Sequence, residues 1–278
     1  MKDKLKDKVI VITGASSGIG RSCALEFAKK GAIVVLAARR INELKIIEEH
    51  IKELGGNAFS VKTDVRNIES CKNLIDTTVK EFERIDVLVN NAGISMRATF
   101  EDLDLSVIKE VMDTNYFGSV YCTKFALPYL LKQNGTVIGI SSISGLTPLP
   151  GRTGYCASKY AMDGFFNTLR LENIKKGLNI LLVHPGFTSS NIRKSALNYM
   201  GFPQKETPRD EEKMMSSENV AQIIVKATII HKRDLILTNQ GKLVVWLYKY
   251  FPGIAGRIIL NEMSKEPEYK RLENVIIQ

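Results

Sequence analysis

The chain has 278 residues, 44% of them hydrophobic, and a net charge of +9, which suits one large domain with a substantial core or two small ones. No run approaches the roughly 18 apolar residues of a membrane span, no aromatic–basic interleaving points to nucleic acid, and the scattered His50, His184 and His231 suggest no metal site. Cys23, Cys71, Cys122 and Cys156 lie far apart with no C-x-x-C pairing, which argues for free thiols in a reducing compartment rather than a disulfide framework.

The N-terminal stretch, Met1 to Lys8, is charged and lacks the apolar core of a signal peptide, so a cytoplasmic protein is expected. The spread of basic residues could serve a phosphorylated cofactor, an anionic membrane surface or solubility. Val9-Ile10-Val11-Ile12 reads as a buried strand. Thr13-Gly14-Ala15-Ser16-Ser17-Gly18-Ile19-Gly20 follows, and then a helical pattern from Arg21 to Lys30. Strand, glycine-rich turn and helix make a phosphate cradle, because missing Cβ atoms admit the pyrophosphate and the helix N-terminus offers N–H donors. The spacing is G-x-x-x-G-x-G rather than the general G-x-G-x-x-G.

Ile33 to Ala37 is the second strand, and Ala38-Arg39-Arg40 ends it. A dinucleotide fold often places an acid there to hold the ribose 2′-hydroxyl. Guanidinium groups would instead grip a 2′-phosphate, so NADP(H) is expected over NAD(H). The pattern then alternates: helix from Ile41 to Leu54, strand Ala58–Val61 leading to Asp64-Val65, helix Ile68 to Phe82, strand Val87–Val89 ending in Asn90-Asn91-Ala92-Gly93. Such alternation implies a parallel sheet whose ligands sit beyond the carboxyl ends of the strands. Ser106 to Leu131 reads as a long helix with a break near Asp113-Thr114-Asn115, where a polar side chain can divert backbone hydrogen bonds.

Gly135 to Ile140 is a further strand, with Ser142 at its end. Tyr155 and Lys159 follow at helical spacing, so they share a face. A hydroxyl, a phenol and an ammonium can therefore converge on one small volume. An ammonium beside a phenol should pull its pKa from about 10 towards neutrality. Such a phenol exchanges a proton with a carbonyl or alcohol oxygen, which Ser142 can hold by a hydrogen bond. Taken alone, Tyr-x-x-x-Lys also suits an ordinary surface helix. After the helix from Gly154 to Lys176, Ile180–Val183 is a strand closing with His184-Pro185-Gly186.

Together these motifs resemble the short-chain dehydrogenase/reductase family. The carrying residues are TGASSGIG at Thr13–Gly20, Asp64-Val65, NNAG at Asn90–Gly93, Asn115, Ser142, YCASK at Tyr155–Lys159 and Pro185-Gly186. The resemblance runs from about Val9 to Asn191. It implies an α/β fold, a single doubly wound Rossmann-type parallel sheet of about seven strands with helices on both faces. It also implies roles. Gly14, Ser16, Ser17, Gly18, Ile19 and Gly20 would shape the pyrophosphate turn. Arg39, with Arg40, would meet the 2′-phosphate; Asp64 and Val65 would meet the adenine; Asn90 would steady the central strands. Asn91, Ala92 and Gly93 would flank the cofactor. Ser142 would orient the substrate oxygen, Tyr155 would be the acid/base, and Lys159 would tune it and hold the nicotinamide ribose. Asn115 would help a water chain reach Lys159. Pro185, Gly186, Thr188 and Ser190 would lie by the nicotinamide, Ser190 standing where the family usually has Thr.

Thr188 to Ser216 matches the family's variable substrate lid, so residues 1–240 are expected to form the catalytic domain and 241–278 a C-terminal helical extension. A helix from Ser217 to Ile230 and a last strand, Leu235–Leu237, precede that extension. Lys242 to Pro252 and Ile254 to Leu260 are apolar, aromatic and basic. Such a stretch can close a pocket, pack in a dimer or lie on a membrane, and the first two are favoured. The tail resembles family members acting on steroids or lipids, which implies a bulky apolar ketone or its alcohol. The resemblance further implies a homodimer or homotetramer. The competing reading is a dinucleotide-sensing regulator without turnover on the same fold.

Overall fold

The computed structural model describes residues 4–189, 192–205, 214–264 and 266. The parallel strands are β1 (Val9–Thr13), β2 (Ile33–Ala38), β3 (Asn57–Lys62), β4 (Val87–Asn90), β5 (Thr136–Ile140) and β6 (Asn179–His184). A separate two-residue pair is formed by β7 (Thr188–Ser189) and β8 (Met215–Ser216), and β9 (Asp234–Ile236) completes the main sheet. The main sheet has seven strands in the order β3-β2-β1-β4-β5-β6-β9, every adjacent pair parallel.

The helices are α1 (Gly18–Ala28), α2 (Ile41–Glu53), α3 (Ile68–Phe82), α4 (Leu105–Met112), α5 (Gly118–Lys132), α6 (Thr153–Glu172), α7 (Ser217–Ile229), α8 (Asn239–Tyr250) and α9 (Pro252–Met263). The long helix expected over Ser106–Leu131 is divided by one π turn, Asp113–Phe117. Asn115 sits in that turn with its side chain fully buried. The helix expected to reach Lys176 stops at Glu172 and gives way to a short 3₁₀ turn.

The strands are continuous Val/Ile/Leu runs because both faces of a parallel sheet are covered. Side chains alternate between the faces. Ile10, Ile12, Val34 and Leu36 meet α1, α2 and α7 on one side; Val9, Val11, Val35 and Leu88 meet α3, α5 and α6 on the other. Each buried Val, Leu or Ile contributes roughly 1.5–3 kcal/mol of transfer free energy. Strand order reverses between β1 and β4, so a crevice opens at their carboxyl ends, where ligands of such sheets bind.

Candidate active site

A single cleft of about 1190 Å³ runs along these strand ends. Gly14, Ser16–Ile19, Arg39, Arg40, Asp64, Val65 and Asn91–Gly93 line it at one end. Ser142, Tyr155, Lys159, Pro185, Gly186 and Thr188 line it further along. Gly20 and Asn115 stand behind its wall, and Ser190 lies outside the described residues.

The glycine turn is shaped by packing as well as by conformation. Gly14 has φ +65°, and a Cβ there would lie 2.8 Å from the Ala92 Cα. A Cβ at Gly20 would lie 2.4 Å from the Asn91 amide nitrogen and 2.5 Å from the Gly14 carbonyl oxygen, so this glycine serves close packing beneath the turn. Asn91 donates its amide to the carbonyls of Thr13 (2.9 Å) and Gly14 (3.2 Å). The Thr13 hydroxyl accepts from the backbone N–H groups of Asn91 and Ala92, at 3.0 Å each. The N-terminus of α1 faces the cleft, and its first turn carries no acid. A backbone cradle with free space above it, a helix N-terminus and no competing carboxylate fit a pyrophosphate.

The Arg40 guanidinium donates to Ser16 (2.9 Å) and Ser17 (3.4 Å), and Arg39 lines the cleft beside it, both exposed. Asp64 is gripped by Arg66 at 2.7 Å, which holds its carboxyl below the usual range although partial burial opposes the shift. Arg66 also reaches Glu110 at 3.1 Å. Arg66 and Glu110 both line the cleft, and neither belongs to a motif that singles them out in the sequence. Asn90 donates to the Thr123 hydroxyl at 2.9 Å, pinning β4 to α5.

Ser142 caps the short 3₁₀ turn Ile143–Gly145 by accepting from the Ser144 N–H at 3.1 Å. The Ile143 N–H donates to the Pro185 carbonyl at 3.1 Å, so the serine loop and the Pro-Gly segment hold each other. Tyr155 and Lys159 come from the first turns of α6. Burial pushes the Tyr155 phenol up to about 12, against an opposing hydrogen bond with Ser142. This corrects the expected pull towards neutrality. The Lys159 ammonium lies 5.7 Å from the centre of the Tyr155 ring and gives its hydrogen bond to the Ile140 carbonyl at 2.8 Å. Burial also lowers Lys159, to about 8.

The Asn115 side chain is held by protein partners. Its Oδ1 accepts from the Ile94 N–H at 2.8 Å, and its Nδ2 donates to the Ile94 carbonyl (3.0 Å) and to Ser158 (2.9 Å). Ser158 in turn donates to the Tyr155 carbonyl at 2.7 Å. Both amide N–H groups are thus spent on protein atoms, and the side chain ties the NNAG loop to the helix that carries Tyr155.

The C-terminal helices wall one part of the remaining cleft, and Leu149, Ile192, Leu197, Pro203 and Met215 wall another. Thr238 caps α8 beside Gly186, and Val244, Ile258, Ile259 and Met263 line the cleft. Leu243, Trp246, Tyr250, Phe251 and Ile254 are exposed without lining it. Arg152, also unsignalled in the sequence, lines the cleft and forms a buried ion pair with Glu266 at 2.8 Å.

The comparisons with known proteins agree with this geometry. The family model described as short chain dehydrogenase matches residues 8–199. The chain belongs to the short-chain dehydrogenase family. It is therefore an oxidoreductase using a nicotinamide dinucleotide. It is 37% identical over 271 residues to 11-beta-hydroxysteroid dehydrogenase A of Sesamum indicum, covering 94% of this chain and 78% of that one. It is 34% identical over 278 residues to dehydrogenase/reductase SDR family member 7B of Mus musculus, covering 97% and 85%. Against 11-beta-hydroxysteroid dehydrogenase-like 2 of Arabidopsis thaliana it is 43% identical over 192 residues, spanning 62% of that longer protein. Among solved structures it is similar to an alcohol dehydrogenase of Thermococcus sibiricus complexed with 5-hydroxy-NADP. That match has a TM-score of 0.75 and 25% identity, covering 84% of this chain and 96% of that one. A short-chain dehydrogenase/reductase of Burkholderia phymatum in complex with NAD shares the fold, with a TM-score of 0.81 at 23% identity, covering 90% and 96%.

Proposed function

We propose that this protein is an NADP(H)-dependent carbonyl reductase whose substrate is a bulky apolar ketone, lipid-like or steroid-like. The observation that carries the proposal is the single cleft. It joins a glycine cradle flanked by two arginines, a Ser142–Tyr155–Lys159 centre and an apolar wall from α8 and α9.

When bound, the cofactor supplies hydride to the carbonyl carbon or takes it from the alcohol carbon. The chain's own residues handle the oxygen. Tyr155, kept protonated by burial, gives its proton to the carbonyl oxygen as hydride reaches the carbon, and an alcohol results. Ser142 donates a hydrogen bond to the same oxygen and fixes its position. The phenolate left behind is stabilised by the Lys159 ammonium beyond its ring. Arg39, Arg40 and the Ser16–Ser17 hydroxyls form a donor cluster suited to a 2′-phosphate. Asp64 and Val65 face the adenine end, and Pro185, Gly186 and Thr188 the nicotinamide end; Asn115 holds the frame. The 1–240 unit carries the site, and the C-terminal helices from residue 241 onward form its substrate wall.

The intact acid/base pair favours an enzyme over a dinucleotide sensor, since a sensor needs no phenol in the cleft. The relatives named for 11-beta-hydroxysteroid dehydrogenase activity support the substrate class. Among the described residues no helix is long and apolar enough to cross a membrane. We place the protein in the cytoplasm as a homodimer or homotetramer assembling through the α5–α6 face. The exposed outer face of α8 and α9 could additionally rest against a membrane, with Lys242, Lys249 and Arg257 beside its aromatics.

The test is a cofactor-oxidation screen with NADPH and NADH over acetone, cyclohexanone, decan-2-one and a steroid ketone. Turnover should rise with substrate size and favour NADPH. Reduction of acetone alone would remove the substrate class, and equal use of NADH would remove the cofactor preference.

A further inference from the structure

Behind the serine loop lies a buried polar cluster that the proposed chemistry does not use. His184, the last residue of β6, and Asp163, on α6, meet at 2.9 Å between Nε2 and Oδ2. They are 3% and 6% exposed. The second oxygen of Asp163, the Nδ1 of His184 and the Ser141 hydroxyl are buried with no protein partner among the described residues. A buried carboxylate held by one donor is costly unless another positive charge stands near.

That charge is Lys159, one helical turn before Asp163 on the same face. Lys159 is 3% exposed, and among the described residues its ammonium bonds to a neutral carbonyl at 2.8 Å and the Met162 sulfur at 3.5 Å. Burial disfavours its charge, and Asp163 is the group that opposes this. The neighbouring backbone has been kept open for the carboxylate. A Cβ at Gly145 would fall 2.8 Å from the Asp163 Oδ2 and 2.7 Å from the Ser141 hydroxyl, and Gly145 ends the turn that Ser142 caps.

The other titratable groups around Asp163 are accounted for. Tyr160 and Arg170 of α6 feel its charge. Arg170 is held by the Ile180 carbonyl and by Asp234 of β9. Tyr248 of α8 faces Tyr160. Between β5 and the Ile143–Gly145 turn, the Ser141 hydroxyl and the Asp163 carboxylate flank the same side of Gly145.

We propose that Asp163, fixed by His184, is the counter-charge that keeps the buried Lys159 an ammonium. The two are positioning residues for the acid/base centre. The inference rests on the reading of Tyr155 and Lys159 as that centre. His184 leads directly into Pro185-Gly186, so one side-chain pair ties the helix carrying Tyr155 to the strand end beside the nicotinamide site.

The test uses the full chain labelled with ¹³C at lysine Cε, whose chemical shift reports ammonium protonation. The Lys159 signal is assigned by its loss in Lys159→Met. In Asp163→Asn its titration midpoint should fall by about one pH unit, the size of one lost neighbouring charge in a partly screened interior. His184→Gln, whose amide can donate where Nε2 stands, should keep the wild-type midpoint; His184→Phe should shift it as Asp163→Asn does. An unmoved midpoint in Asp163→Asn overturns the proposal. If that variant does not fold, the two His184 variants decide, and equal midpoints in both overturn it. Tyr155→Phe assayed for ketone reduction separates the two failures. Unaltered turnover there removes the acid/base reading, whereas its loss beside an unmoved Lys159 midpoint removes this proposal alone.

Discussion

The two ends of the cleft are built by different means. At the end proposed for the nucleotide the backbone itself forms the surface, and it is held by a small set of hydrogen bonds: the Asn91 and Ala92 amides donate to Thr13, and the Asn91 side chain donates to the Thr13 and Gly14 carbonyls. At the end proposed for the substrate the surface includes apolar side chains from α8 and α9, elements late in the chain that pack on each other and on Leu149. The first end allows little variation, since a Cβ at Gly14 or Gly20 would strike backbone. The second can change one side chain at a time. The centre between them borrows from both, with a loop serine, a helical phenol and a buried ammonium.

The largest effect should come from breaking that centre without touching either end. Tyr155→Phe should lower turnover about 10²–10⁴-fold, the usual weight of a positioned proton donor. Its dissociation constant for NADPH, read by fluorescence titration, should stay at the wild-type value. A matching loss of cofactor affinity would mean that the phenol belongs to the nucleotide end.

The same division decided what the sequence could reveal. Glycines at Gly14, Gly18 and Gly20, between a strand run and a helical pattern, mark a turn because no other residue fits there. Ser142, Tyr155 and Lys159 are legible because their spacing converges on one point. The π turn at Asp113–Phe117 appeared only as an expected break, since it depends on how Asn115 reaches Ile94 and Ser158 across the fold. Arg66, Glu110 and Arg152 had no signal at all; lone charges look alike until tertiary packing brings them to a cleft. The raised Tyr155 phenol was missed for a similar reason. Spacing places the ammonium near the ring, but only the fold shows that it bonds to Ile140 and that burial prevails. The exposed and cleft-lining faces of α8 and α9 also share one apolar composition, so their division is a tertiary fact.

Next in size is the nucleotide end. Replacing both Arg39 and Arg40 by Ala removes charge-assisted bonds of roughly 1.5–3 kcal/mol each. Affinity for NADPH should fall tenfold or more, while affinity for NADH changes little. Calorimetry with the two cofactors reads the difference directly, and equal losses for both would detach these arginines from the 2′ position.

The substrate end should respond more mildly and more selectively. Val244→Asn and Ile258→Asn each place an amide in the apolar wall. A pocket contact of this size discriminates by about tenfold or somewhat more. The ratio of kcat/KM for decan-2-one over cyclohexanone should fall by that factor. A uniform decrease for both ketones would argue that α8 and α9 support the fold without setting selectivity.

The smallest expected effect concerns stability, and it isolates the price of the centre. Lys159 has an ordinary pKa of 10.5 and is lowered to about 8 by burial. Between those values the unfolded chain binds more protons than the folded one, so stability increases as pH rises through that window. Tyr155 acts in the opposite direction above about 10, because its phenol stays protonated up to about 12 in the folded chain and ionises earlier in the unfolded one. The clean interval is therefore pH 8 to 10, where one proton contributes at most about 1.4 kcal/mol per pH unit. Urea denaturation of wild type and Lys159→Met at both ends of that interval gives the comparison. The wild type should gain roughly 1–2 kcal/mol relative to the variant between pH 8 and 10. Parallel stability curves would mean that the lysine carries no penalty when folded, and that its environment already compensates the buried charge in full.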